Sequence, residues 1–347
     1  MKAKKIIGLC LAAALVVGMV GCQSASSNGN ESNIQTEATT EKVTLKIGQV
    51  NYAAHGPKAF ALATAVVNGD TIVDAYLDEF QYMSADSAQG IVNSEGMADN
   101  IVEGKVLASK IENNESYSKS LAEKAGSTVM YADNFAAIQD FVKGKTISEL
   151  EDLVNNKTPE EVTDAVTGAT LVDTYGYINA IIEAAKQAQS NTGVEFDGNV
   201  EDLKLTQTYF AAHGKKAFAV ASALTDKDKV VLSYIDEFQF MAADKATGVA
   251  NSTEGLADNV VEGKVLASKR QNSETYSASM AEKAGSTVKF ADNLNAIQNF
   301  VDGKTITELE ETTSKTNEEV TDAVTGATLA DTAGYINAVI AAAKLAQ

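Results

Sequence analysis

The stretch FALATAVVNGDTIVDAYLDEFQYM, residues 60–83, reads as a long β-hairpin. Phe60 to Val67 is apolar and partly β-branched, Asn68-Gly69-Asp70 is a turn signal, and Thr71 to Met83 resumes as a strand. Alternation from Ile72 to Met83 predicts one face made of Ile72, Tyr76, Asp78, Phe80 and Tyr82. Beyond Gly126 the apolar spacing becomes helical. Phe135, Ile138, Phe141 and Val142 suit one helix and Ile147, Leu150 and Val154 another, with Gly144 between them. A last helix is predicted from Leu171 to Gln189, with Leu171, Tyr175, Ile178, Ile182 and Ala185 as its apolar stripe. Strands first and helices afterwards predict an α+β fold, an antiparallel or mixed sheet with helices packed on one side.

The pattern occurs twice. Ala53-Ala54-His55-Gly56 returns as Ala211-Ala212-His213-Gly214, and residues 158–189 match residues 316–347 at 26 of 32 positions. The hairpin returns with a weaker turn, Asp226-Lys227-Asp228, and with Val230, Tyr234, Asp236, Phe238 and Phe240 on the matching face. Two tandem copies of one domain are expected, at 43–189 and 200–347, each able to bury its own core. Residues 190–199, with Asn191, Gly193, Gly198 and Asn199, read as a short polar linker.

Residues 1–21 have the layout of an export signal: Lys2, Lys4 and Lys5, then an apolar run from Ile6 to Val20, then small residues. Met19-Val20-Gly21-Cys22 resembles a bacterial lipobox, which implies cleavage before Cys22 and a diacylglycerol lipid on its sulfur. Residues 22–42 then form the lipidated cysteine and a polar tether. The expected location is the cell membrane, anchored by lipid on the extracytoplasmic face. Loss of the leader takes the formal charge from −19 to −22, and 47 acidic residues against 28 basic ones disfavour nucleic acid as a partner. Cys10 leaves with the signal and Cys22 is committed to lipid, so no thiol is left for disulfides, clusters or nucleophilic catalysis. Two histidines do not make a His-rich metal centre.

Ahead of each last helix stands Asp164-Ala165-Val166-Thr167-Gly168-Ala169-Thr170, repeated as Asp322-Ala323-Val324-Thr325-Gly326-Ala327-Thr328. A hydroxyl flanked by small residues near a helix start can be approached closely and suits an anion. Threonine is also a favoured N-cap, so capping by Thr167 or Thr170 is the plainer expectation. The segment resembles the D-x-x-S/T-G-A-T flavinylation motif of FMN-binding domains, as in the NqrC and RnfG subunits of respiratory complexes. Lipobox, tether and two such domains together resemble the flavinylated lipoproteins of Gram-positive extracellular electron transfer. The resemblance implies covalent FMN on Thr170 and Thr328, attached by an FAD-dependent FMN transferase. It also implies a carrier, not an enzyme, that relays electrons from a membrane NADH dehydrogenase and the quinone pool to extracellular acceptors such as ferric iron.

Asp164 and Asp322 then serve recognition by the transferase or cap a turn, and Gly168, Ala169, Gly326 and Ala327 complete the motif. Asp78 and Asp236 are odd carboxylates on an aromatic face and need a partner, a helix N-terminus or a flavin N–H. His55 and His213 are candidates for proton handling or ring contact, against a structural hydrogen-bonded role. Asn93-Ser94 with Gly96, and Asn251-Ser252 with Gly255, read as polar loops at a ring edge or on the surface. Two other readings stay open. One is a solute-binding or surface-interaction lipoprotein without a redox centre; the other adds a peptide-pheromone role for the released signal fragment.

Overall fold

The hairpin expected at residues 60–83 forms. In the computed structural model, which describes residues 42–347, β1 (Val43–Tyr52) pairs antiparallel with β2 (Ala59–Asn68), and Gly69 at a φ of +62° turns the chain into β3 (Thr71–Ser84). The leader, the lipobox with Cys22 and the tether up to residue 41 lie outside the described residues. A short helix α1 (Ser94–Met97) precedes β4 (Lys105–Ser109), which pairs with β3. Then come α2 (Asn114–Ala125), α3 (Tyr131–Val142), α4 (Ile147–Asn156), α5 (Pro159–Ala165) and α6 (Thr174–Ser190). β5 (Val194–Phe196) returns beside β1 and completes an antiparallel sheet ordered β4-β3-β2-β1-β5.

The second half repeats this order with β6 (Lys204–Phe210), β7 (Ala217–Asp226), β8 (Lys229–Ala242) and β9 (Lys264–Ser268) in a four-stranded antiparallel sheet. Its helices are α7 (Ser273–Ala284), α8 (Phe290–Val301), α9 (Ile306–Thr313), α10 (Asn317–Ala323) and α11 (Thr332–Lys344). The fold is α+β. Helices α4, α5, α9 and α10 start on capping boxes, Thr146/Glu149, Thr158/Glu161, Thr305/Glu308 and Thr316/Glu319, which satisfy otherwise orphaned N–H groups. The last helix begins at Thr174, three residues later than expected. Among the described residues no helix is long and apolar enough to cross a membrane.

Each sheet has two buried faces. One packs on the helices of its own half, Ala61, Ala63 and Leu77 against Phe135, Ile138, Tyr177 and Ile181 in the first. The other packs on the second sheet, through Phe60, Phe80, Phe218 and Phe238, with Phe80 and Phe218 ring centres 6.2 Å apart. The layers are helix, sheet, sheet, helix. Each half buries its own helix–sheet core, as expected, and the inter-sheet layer adds a further core that joins the described halves into one compact unit. At the middle of the inter-sheet layer Gln49 Nε2 donates to Thr64 at 2.9 Å and to Gln207 at 3.2 Å.

Three expectations are corrected. A β-bulge at Val73 separates the Val66–Asp74 and Val67–Ile72 pairs, so Ile72 turns to the helix side while Tyr76, Asp78, Phe80 and Tyr82 face the other sheet. The same bulge in β7–β8 turns Val230 away from Tyr234 and Asp236. The 190–199 segment is no free linker, because β5 pairs with β1 and Phe196 enters the inter-sheet core beside Leu203 and Leu205. The loops at Asn93 and Asn251 are reciprocal clasps between the halves. Asn93 Nδ2 donates to the carbonyls of Gly214 and Ala217 at 2.9 and 2.7 Å, and Asn251 Nδ2 to those of Gly56 and Ala59 at 2.7 Å each. Each half thus holds the histidine turn of the other.

Candidate functional site

The motif threonine is positioned by a buried asparagine. After α5 the chain turns through Gly168, whose φ of +95° strains any side chain, and reaches Thr170 four residues before α6. The backbone N–H of Thr170 donates to Asn134 Oδ1 at 2.6 Å, and its hydroxyl donates to the same oxygen at 3.2 Å. Asn134, on α3, is fully buried and donates its Nδ2 to the carbonyl of Met130 at 2.9 Å. In the second half Gly326 has a φ of +92°, and Thr328 makes the same two bonds to Asn293 at 2.6 and 3.2 Å. Neither threonine caps the helix; the N-cap positions belong to Asp173 and Asp331. Both threonines are exposed, as are Thr167, Asp164 and Asp322, whereas Ala169 and Ala327 pack on the helical cores.

Thr170 stands at one end of a cavity of about 420 Å³ that is lined by Tyr117, Tyr131, Tyr177, Leu121, Ser127, Asp173 and His55. That volume lies within the range of small-molecule pockets, and the three phenol rings supply flat apolar walls. Gly176 decides where His55 sits, because a Cβ there would come within 2.1 Å of the Ala54 carbonyl oxygen. The close approach brings His55 Nε2 to 3.7 Å from Asp173.

Beneath the cavity lies a buried ion pair. The carboxylate of Glu79, on the helix side of β3, accepts from Lys110 Nζ, from the hydroxyls of Tyr131 and Tyr177 at 3.1 Å each, and lies 3.3 Å from His55 Nδ1. Glu79 and Lys110 have no solvent exposure. Burial pushes the Glu79 carboxyl up, but Lys110 and His55 outweigh it and hold the group below its ordinary value. Burial likewise pushes Lys110 down, and the facing carboxylate reverses this. Burial above all raises Tyr131, Tyr177 and Tyr335 well above the usual phenol range, which keeps them as hydrogen-bond donors. The other oxygen, Glu79 Oε1, is buried without a hydrogen-bond partner. Glu237 repeats the arrangement with Lys269 and Tyr335, and its Oε1 is equally unpaired.

Asp78 and Asp236 lie on the opposite face from this cavity, in the inter-sheet layer. Asp78 accepts from the hydroxyls of Ser109 and Tyr209 and from the backbone N–H of Glu79 and Ile111. Its partner is therefore the second half, not a ligand beside Thr170. His55 and Thr170 do share a cavity. Glu79, Lys110 and Asn134 were missed by sequence reasoning. Their signals were a charge ending each KVLASK segment, residues 105–110 and 264–269, and the Asp133-Asn134 pair returning as Asp292-Asn293. Among the described residues no group of three or more His, Cys, Asp or Glu side chains is placed to hold a metal ion. No family model matches the chain, and no curated protein or solved structure matches it.

Proposed function

We propose that the chain is a lipid-anchored, extracytoplasmic electron carrier with two covalent FMN groups, one on Thr170 and one on Thr328. The observation that carries this reading is the duplicated threonine geometry, an exposed hydroxyl held by a buried asparagine oxygen at 3.2 Å in both halves. Donation to Asn134 Oδ1 leaves the lone pairs of the Thr170 oxygen free to face an incoming phosphorus. Forming the Oγ1–P bond breaks the pyrophosphate of FAD and releases AMP, while the hydroxyl proton leaves to a base of the FMN transferase. Asp164 and Asp322, exposed six residues upstream of each threonine, are then recognition groups for that enzyme.

The fit to a flavin rests on the cavity beside Thr170. Its tyrosine rings suit a flat ring system, and His55, Ser127 and Asp173 are half-buried polar groups on its wall. FMN, when bound, supplies reversible electron uptake and release. The chain's own part is to hold the ring and to exclude water. Lys110 and Glu79 neutralise each other under the floor, which leaves Asp173, 3.7 Å from His55 Nε2, as the carboxylate on the cavity wall. A covalent tether keeps the cofactor at high local concentration where free FMN would be diluted away. Upstream and downstream partners in this reading are a membrane NADH dehydrogenase with the quinone pool, and extracellular acceptors such as ferric iron.

The test is the denatured intact mass of the full chain, made with and without an FMN transferase. Two FMN-minus-water increments, mapped to the peptides of Thr170 and Thr328, are expected only with the transferase. Thr170→Ala should remove one increment and the double change with Thr328→Ala both. An unmodified mass in both preparations would overturn the proposal and favour a solute-binding or surface-interaction lipoprotein.

A further inference from the structure

The inter-sheet layer is filled on one side and open on the other. Tyr209 of β6 donates its hydroxyl to Asp78 Oδ2, an oxygen that also accepts from Ser109. Its ring stands edge-on to Phe80, with centres 5.2 Å apart at 75°, and Gln207 Nε2 lies 3.4 Å from its hydroxyl. Tyr209 pairs with Val220 across β6–β7 just as Asn51 pairs with Leu62 across β1–β2, so Asn51 occupies the matching position opposite Asp236. Asn51 does not reach that carboxylate. Its Oδ1 accepts from the backbone N–H of Ala250 at 2.8 Å and its Nδ2 donates to Gln271 at 3.3 Å.

The result is a cavity of about 330 Å³ between Asn51, Gln49, Asp236, Phe238 and Arg270. Asp236 Oδ2 accepts only from Ser268, at 2.5 Å, where Asp78 Oδ2 accepts two hydroxyls. Gln49 is buried, yet its Oε1 has no hydrogen-bond partner. Arg270 uses three N–H groups, on the Ile235 carbonyl at 2.9 Å, Asn295 at 2.7 Å and Gln298 at 2.5 Å, which leaves two of its five. On the other side Tyr209 fills the matching space, its ring edge-on to Phe80 and its one O–H proton on Asp78 Oδ2, so the open side offers an aromatic wall and a carboxylate oxygen with one hydroxyl fewer.

We propose that this cavity is a binding site for a single-ring phenol, whose ring packs on Phe238 as Tyr209 packs on Phe80 and whose hydroxyl donates its proton to Asp236 Oδ2. The volume is near the lower end for organic ligands and accommodates a single ring. The buried Asp236 carboxylate adds a demand for the hydroxyl.

The test is titration of the full chain with p-cresol, followed by NMR shifts of Phe238 and Gln271, with toluene as the hydroxyl-free control. Saturable binding of one p-cresol is expected, with toluene at least about tenfold weaker because it brings no proton for the Asp236 carboxylate. Asn51→Tyr should supply the phenol from the chain itself, abolish p-cresol binding and raise Tm. Tyr209→Ala should instead open a second site beside Asp78 and raise the stoichiometry to two. No saturable shift, toluene binding as tight as p-cresol, or undiminished affinity in folded Asn51→Tyr would each overturn the assignment. None of these readouts depends on flavin.

Discussion

The two halves hold the same buried ion pair in different company. The backbone frames agree, with Lys110 N–H on the Glu79 carbonyl at 2.9 Å and Lys269 N–H on the Glu237 carbonyl at 2.8 Å. The surroundings do not. Glu79 has two tyrosine hydroxyls and His55 at 3.3 Å, whereas Glu237 has one hydroxyl, Phe290 where the other half has Tyr131, and His213 at 3.7 Å. The frame sets the pair, and the shell sets how well the carboxylate survives without its lysine. Lys110→Met and Lys269→Met should each cost about 3–5 kcal/mol, since each leaves a buried carboxylate without its cation. Lys269→Met should cost more, because Glu237 keeps fewer donors. Urea unfolding of the two variants decides it, and equal losses would mean that the extra hydroxyl carries nothing.

A second contrast sharpens the electrostatics. Asp74 lies 3.0 Å from Lys143, while the position matching Lys143 carries Asp302, whose carboxylate accepts from Ser233 at 2.6 Å. Burial pushes Asp302 up to about 8, although its bonds from Ser233 pull the other way. Its folded value thus exceeds the unfolded one of about 3.9, so the folded state holds a proton that the unfolded state has lost. Its stabilising contribution is complete below about pH 4 and disappears as pH rises through about 8. Asp302→Asn keeps the acceptor for Ser233 and should gain roughly 1–2 kcal/mol at pH 9, and nothing at pH 4, with solvent at the partly buried group moderating the gain. Urea midpoints at the two pH values test this; an equal gain at both would sink it.

Tyr131→Phe turns the first site into a copy of the second. Alone it should cost about 1 kcal/mol. Combined with Lys110→Met it should bring the total loss close to that of Lys269→Met, a coupling that a double-mutant cycle measures directly. Additivity in that cycle would separate the tyrosine from the ion pair.

Much of this was open to a reading of the chain. The β2–β3 hairpin and the helices beyond Gly126 follow from local spacing and turn chemistry, although α2 (Asn114–Ala125) already ends at that glycine and its weak apolar stripe hid it. The face of Asp78 was legible too, but not its partner, because Tyr209 lies 131 residues away and no periodicity links the two. Ile72 was misplaced by a single bulged residue, which reverses the alternation on which the assignment rests. Glu79 escaped notice because, one position from Asp78, it points to the opposite side of the strand. Polarity alone does not say which side binds. The clasps of Asn93 and Asn251 depend on the packing of two sheets, a long-range event with no local signature.

The smallest expected effect lies at the hairpin turns. Gly69 and Lys227 both adopt positive φ, +62° and +55°, and the carbonyl of each accepts from a glutamine side chain, of Gln189 near the end of α6 at 3.1 Å and of Gln347 just beyond α11 at 2.7 Å. A lysine in the left-handed region costs about 1–2 kcal/mol through its Cβ, and a glycine returns part of that gain through its freer unfolded chain. Lys227→Gly should therefore stabilise by only about 0.5 kcal/mol, and Gly69→Lys should destabilise by a similar amount. A shared sign for the two changes in thermal unfolding would show that the turns, alike in backbone, are held by their helix-end contacts and not by their own conformational preference.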